Sequence, residues 1–262
     1  MIPWGTIALV WFCTAILMSE LFVVQRRLKN AGIVDIAWSV CTAASGCVFA
    51  AVSHGDVIRR VVVALMATIW GLRLASHLLA RCRRETEDGR YIALRAKWGA
   101  RANVMMFGLY QVQALWAVLF SLPMLAAAWP RRPFSTIDII AVVVYLGSIV
   151  GEAIADRQLA AFKASGPRHS EVCRTGLWSW SRHPNYFFEW FHWLAYICLA
   201  SGTPLIGVAI AGAIVMFLFL TRVTGVPMTE AQAIRSRGDA YRKYQREVSP
   251  FVPLPPGRFH AK

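Results

Sequence analysis

The stretch GLWSWSRHPNYFFEW, residues 176–190, gathers Arg182, His183, Asn185, Tyr186 and Glu189 into eight positions between apolar runs. Pro184 suits the first turn of a helix, where its missing N–H has no partner to lose. The groups around it then lie at the positive end of a helix dipole, a ready site for phosphates and carboxylates. Lys163, Arg168, His169 and Arg174 lie just upstream. Arg81, Arg83, Arg84 and Arg90 come from a second polar stretch, and Arg235, Arg237, Arg242 and Lys243 from the C-terminal region. One bound polyanion would account for these cations together. Attraction to a membrane surface and the topology of insertion account for them equally well. Trp178, Trp180, Tyr186, Tyr241 and Tyr244 offer aromatic faces for a base or a nicotinamide ring.

A second set of polar groups sits inside the apolar runs. Ionisable groups are costly in a bilayer, so each is a functional suspect, although interhelical ion pairs explain any single one as well. Arg73 and His77 are i, i+4 with Trp70 at i−3, on one helical face. Asp35 shares a face with Trp38, Glu152 with Asp156, and Glu189 with His192. Asp35 is the most suggestive acid. Buried without a full-strength partner, a carboxyl stays protonated and donates a hydrogen bond to a developing oxyanion. Pairing with Arg73 would do the opposite, and the sequence leaves both open. Tyr91, in EDGRY, is a second candidate donor, or an interfacial aromatic.

Long apolar elements must hold these groups. The chain has 262 residues, 57% of them hydrophobic, and a mean hydropathy of +0.47, well above a soluble domain. Runs 2–24, 31–52, 61–80, 104–128, 136–160, 186–201 and 204–221 read as seven spans, since about 20 apolar residues cross a bilayer. The predicted fold is therefore all-α: a single-domain bundle over 1–262 with cytosolic loops and a short C-terminal helix within 229–247, broken at Gly238. Only SGTP, 201–204, joins the last two spans. The first span lacks a basic leader region and a cleavage site, so it reads as retained.

The net charge of +14 would suggest nucleic acid in a soluble protein; here its distribution speaks against that. With the N-terminus outside, 23 of the 28 Lys and Arg fall on inner segments. Only Arg59, Arg60, Arg131 and Arg132 fall outside, so the positive-inside rule places the C-terminus in the cytoplasm. The six cysteines are scattered without metal spacing and read as small hydrophobes, so no metal and no disulfide is expected.

GLWSWSRHPNYFFEW, with EAIADRQLAAFK upstream and GDAYRKYQREVSPFVP downstream, resembles the steroid 5-alpha-reductase family, most closely a bacterial membrane branch labelled as a domain of unknown function. KNAGIVDIAWSV, WGLRLASHLLARCRRETEDGRY and YQVQALWAVLFSLP resemble the same branch, so the likeness covers residues 28–252. It implies a seven-helix bundle in a bacterial inner membrane, a monomer that takes NADPH from the cytosol and a lipophilic, steroid-like substrate from membrane lipid. The implied reaction reduces a carbon–carbon double bond conjugated to a ketone. The implied cofactor residues are Asp156, Lys163, Trp178, Arg182, His183, Asn185, Tyr186, Glu189, Glu230, Arg235, Tyr241 and Tyr244, with Arg83, Arg84, Asp88, Arg90 and Tyr91 from the other loop. Where animal steroid reductases carry a glutamate and a tyrosine, the nearest counterparts here are Asp35 and Trp70. Asp35, Tyr91, Trp70 and Arg73 are thus the catalytic candidates. Isoprenylcysteine carboxyl methyltransferases share a related RHP segment and use S-adenosylmethionine. That activity, and a non-enzymatic sterol-binding protein, are the alternatives.

Overall fold

The computed structural model describes residues 2–84, 87–166 and 171–257, without the side chain of Arg84. Arg84, Arg168 and His169 therefore lie outside the described side chains. The described residues are helical, with no strand among them. Among the described residues, six helical runs are long and apolar enough to cross a membrane: Trp4–Leu28, Ile33–Val52, Val57–Arg83, Gly89–Ala128, Thr136–Ala164 and Ile206–Arg237. The protein is a multi-pass membrane protein. Its chain forms two compact units, Met1–Phe134 with Leu199–Ala209, and Ser135–Cys198 with Ile210–Lys262.

The first unit contains α1 (Trp4–Leu28), α2 (Ile33–Val52), α3 (Val57–Arg84), α4 (Gly89–Trp98) and α5 (Ala102–Ala128). α2 packs most extensively on α3 and α5. Small residues make this approach possible, as they do between membrane helices generally. A methyl group on Gly46 would lie 2.2 Å from Met124 Sδ, and one on Gly71 would lie 2.4 Å from Ala43 Cβ. The hydroxyls of Thr42 and Ser45 return their protons to the carbonyls of Trp38 and Cys41, so they add polar atoms to α2 without an unmet donor.

At one end of this unit the arginines expected outside serve as clamps. Arg59 is fully buried and donates to the carbonyls of Pro130, Arg132 and Pro133 at 2.8, 2.9 and 3.2 Å. Arg60 donates to Ala50 and Ala51 at the C-terminus of α2, and Arg132 to Ser201. These carbonyls include the unpaired acceptors every helix end leaves behind.

The second unit contains α6 (Thr136–Ala164), α7 (Pro184–Phe191), α8 (Trp193–Leu199), most of α9 (Ile206–Leu218), α10 (Gly225–Arg237) and α11 (Asp239–Glu247). A capping box from Ser135 and Asp138 starts α6. α6 lies close on α7, because Gly151 faces the Phe188 ring, which a methyl group would meet at 2.5 Å. The run 186–201 folds as two short helices broken at His192. α9 passes through a π-helical turn, Phe219–Val223, into α10. The break expected at Gly238 is present: its φ of +54° separates α10 from α11.

Candidate functional site

Among the described residues, each unit carries a polar cluster that includes expected site residues. In the first unit it forms where α2 begins. Asp88 caps α4, accepting from the Arg90 backbone N–H at 2.9 Å, and so fixes the first turn of that helix. That turn aims Arg90 and Tyr91 at Asp35. The Tyr91 hydroxyl donates to Asp35 Oδ1 at 2.7 Å, and Arg90 Nη2 donates to Asp35 Oδ2 at 2.7 Å. Arg90 also binds Asp88, as does Arg81 at 2.7 Å. Burial tends to raise the Asp88 carboxyl, but the hydrogen bonds and charge of Arg90 outweigh it and hold it below its usual range. Tyr91 is only 4% exposed, with the Arg90 guanidinium 5.4 Å from its ring centre. A small pocket beside the cluster is lined by Asn30, Gly32, Asp35, Leu78, Arg81, Cys82, Asp88 and Arg90.

This geometry changes the part Asp35 can play. Both its oxygens accept hydrogen bonds, one from the Arg90 cation and one from the Tyr91 hydroxyl, so it is arranged as an acceptor. That cation is supplied by α4. Trp70 is buried edge-on to Trp38, itself edge-on to Phe120, and so belongs to the apolar packing. Arg73 is half-buried on the same helix, and Arg83 is exposed.

In the second unit the cluster surrounds the start of α7. Asn185 Nδ2 donates to Asp156 Oδ1 at 3.2 Å, joining α7 to α6. The Tyr186 ring lies flat on His183, centroids 5.4 Å apart, and its hydroxyl meets Thr229 at 3.1 Å. Arg182 Nε donates to Glu230 at 2.7 Å, and its Nη1 donates to the carbonyls of Gln245 and Val248 at 2.6 and 2.9 Å. His183 and Gln245 also reach Glu230, at 3.4 and 2.9 Å. Trp178 donates to Ala155 O, and Tyr244 donates to Trp178 O. Burial lowers the affinity of His183 for a proton, against the opposing pull of Glu230, and burial pushes the Tyr241 and Tyr244 phenols up.

The second unit thus brings together Asp156, Asn185 and Tyr186, and separately Trp178, Arg182, His183, Glu230 and Tyr244. Arg182 and His183, expected to meet a phosphate, are buried and bound to Glu230. Of the basic residues implied for the cofactor in this unit, Lys163 and Arg235 are exposed. Glu189 is buried. Sequence reasoning missed Gln245 and Thr229, which gave no charge signal. It also missed the network in which Glu87 accepts from the Ala31 N–H at 2.9 Å and from Arg95 at 3.3 Å, while Arg95 donates to the buried Gln25 at 2.6 Å. A glutamine at the end of an apolar run was the available clue.

A family described as "Protein of unknown function (DUF1295)" matches residues 21–248. The chain is also similar to a fission-yeast protein, "Uncharacterized protein C594.04c" of Schizosaccharomyces pombe. The two are 28% identical over 271 aligned positions, covering 91% of this chain and 77% of the relative. No solved structure matches.

Proposed function

The chain belongs to the DUF1295 protein family, and from that premise we propose that it is a membrane-embedded, NADPH-dependent reductase of a carbon–carbon double bond conjugated to a ketone, of the steroid 5-alpha-reductase type. The observation that carries this reading is the Tyr91 hydroxyl, buried and 2.7 Å from Asp35 within an apolar helical unit. Reducing an enone places negative charge on the ketone oxygen, and a buried hydroxyl that can exchange its acceptor from Asp35 to that oxygen stabilises it. Methyl transfer to a thiolate or a carboxylate has no use for such a donor.

The residues of the second unit suit a dinucleotide. Lys163 and Arg235 are exposed cations, Asn185 and Asp156 form an amide–carboxylate pair, and Tyr186 offers a half-buried ring. We assign the phosphates to the exposed cations and the ribose and nicotinamide groups to the pair. NADPH, when bound, supplies the hydride. The chain supplies the rest. When substrate binds, the Tyr91 hydroxyl turns its one proton from Asp35 to the substrate oxygen, Asp35 stays held by Arg90, and the apolar helices exclude water, which strengthens each interaction. The substrate is then a lipophilic enone, with a 3-oxo-Δ4 steroid as the natural probe. We further propose that α7 and α8 complete a seventh crossing, with the N-terminus outside and the C-terminus in the cytoplasm, in a bacterial inner membrane.

The test is direct. Detergent-purified protein is incubated with NADPH and progesterone, and NADPH oxidation and the 5-alpha-reduced steroid are measured. Turnover supports the reading. Methyl transfer from labelled S-adenosylmethionine to an isoprenylcysteine acceptor, with no NADPH consumed, replaces it with the methyltransferase. Steroid binding with neither activity leaves a sterol-binding protein.

A further inference from the structure

The C-terminal segment Val248–Leu254 lies against residues 178–183 as a bound peptide would. Ser181 and Ser249 form a parallel bridge, and the Arg182 N–H donates to Ser249 O at 2.8 Å. Ser181 Oγ donates to Phe251 O at 2.7 Å and accepts from the His183 N–H at 3.1 Å. Leu254 N–H donates to Trp180 O at 3.0 Å. The Arg182 guanidinium holds Val248 O and Gln245 O from the other side. Phe251, 6% exposed, fills a socket formed by Phe187 and Trp190 of α7 and Phe217 of α9, at centroid distances of 5.9, 5.9 and 5.3 Å. Pro250, Pro253, Pro255 and Pro256 restrict the free segment and reduce the entropy lost on docking.

We propose that this segment is a latch, and that Arg182 and Phe251 are positioning residues: they hold the first turn of α7, with Asn185 and Tyr186, in the form that accepts the nucleotide. The proposal rests on the nucleotide reading above for its consequence, but not for the docking itself. Three of the hydrogen bonds end on residues 181–183, immediately before Pro184, and the aromatic socket is on the following turns of α7. Release of Phe251 therefore loosens both sides of that first turn at once. Arg182 acts here through the backbone it grips rather than by touching a phosphate.

The experiment uses the full chain, a Phe251→Ala variant, and a chain ending at Val248. NADPH affinity, thermal stability and binding of a fluorescent peptide spanning Ser249–Gly257 are measured. The truncated chain is expected to bind the peptide, and to bind NADPH at least tenfold more weakly until the peptide restores it. A peptide carrying Phe251→Ala restores nothing. Rescue in trans is a readout that general destabilisation does not produce. Should the truncated chain not fold, hydrogen exchange in full-length Phe251→Ala decides: exchange across 181–187 rises at least tenfold, whereas unchanged exchange refutes the latch. A folded truncated chain that ignores the peptide, or that binds NADPH as tightly as the full chain, also refutes it. A full chain without NADPH affinity overturns the nucleotide reading instead, and peptide binding still tests the docking.

Discussion

Tyr91→Phe isolates one hydroxyl. The ring keeps its burial and its place beside Arg90; only the 2.7 Å hydrogen bond to Asp35 is removed. A hydrogen bond to a charged group is worth about 1.5–3 kcal/mol. For a chain of this size 1 kcal/mol shifts Tm by about 2–4 °C, so the variant should melt about 3–12 °C lower. The kinetic effect is separate. A donor aimed at a developing oxyanion is worth about 10²–10³ in rate. The variant should therefore lose at least a hundredfold in single-turnover hydride transfer to a 3-oxo-Δ4 steroid, while NADPH affinity stays within twofold. Asp35→Asn should likewise abolish turnover while keeping nucleotide bound, since its amide no longer holds Arg90 as a carboxylate does. A Tyr91→Phe enzyme reducing the steroid within threefold of the wild-type rate would remove Tyr91 as donor, and the reductase would need its proton from elsewhere.

Arg59→Met removes the donor to three carbonyls at once, and leaving buried acceptors unmet costs about 1–3 kcal/mol each; the detergent melting temperature should fall by at least about 6 °C. Gly55→Ala would put a methyl carbon 2.1 Å from Ala128 O, a backbone atom that cannot swing aside; overpacking of about 1–3 kcal/mol should appear in the same melt. Burial, against the pull of Glu230, makes His183 take up its proton less readily folded than unfolded, so the unfolded chain binds more protons. Stability is then complete above about pH 6.5 and declines as pH falls below it, and His183→Gln should flatten that part of a melting profile recorded from pH 8 to pH 5.

The apolar run lengths made most of the helices legible, because a bilayer imposes length and hydropathy directly on sequence. α7 and α8 were harder: their residues are as apolar as a span, and the break at His192, whose ring meets Tyr145 of α6, has no glycine or proline beside it to announce it. Asn185 with Asp156, and Arg182 with Glu230, were expected at one site and do meet in pairs. The form of the meeting was not legible. Charge identifies a basic residue but not its counter-charge, and Glu230 lies 48 positions from Arg182. The partner of Asp35 was hidden for the same reason. Arg73 was the cation the apolar runs offered, yet Arg90 reaches it because Asp88 starts α4 where it does.

The basic residues divide into two populations, and the division decides what the charge of +14 means. Arg59, Arg90 and Arg182 are drawn inward and end on carbonyls or carboxylates within their own unit. Guanidinium suits this work: its planar fork satisfies several acceptors at once and it never loses its proton. Such arginines are committed to the fold. Lys163, Arg235, Arg242 and Lys243 remain exposed. An anion is met more readily by exposed cations such as these than by the buried arginines, and that affinity should fall as salt rises. A phosphate socket built from Arg182 would instead have to break its contact with Glu230 and release two carbonyls, losses that one solvated phosphate does not offset. The exposed cations are therefore where a nucleotide phosphate has to be sought.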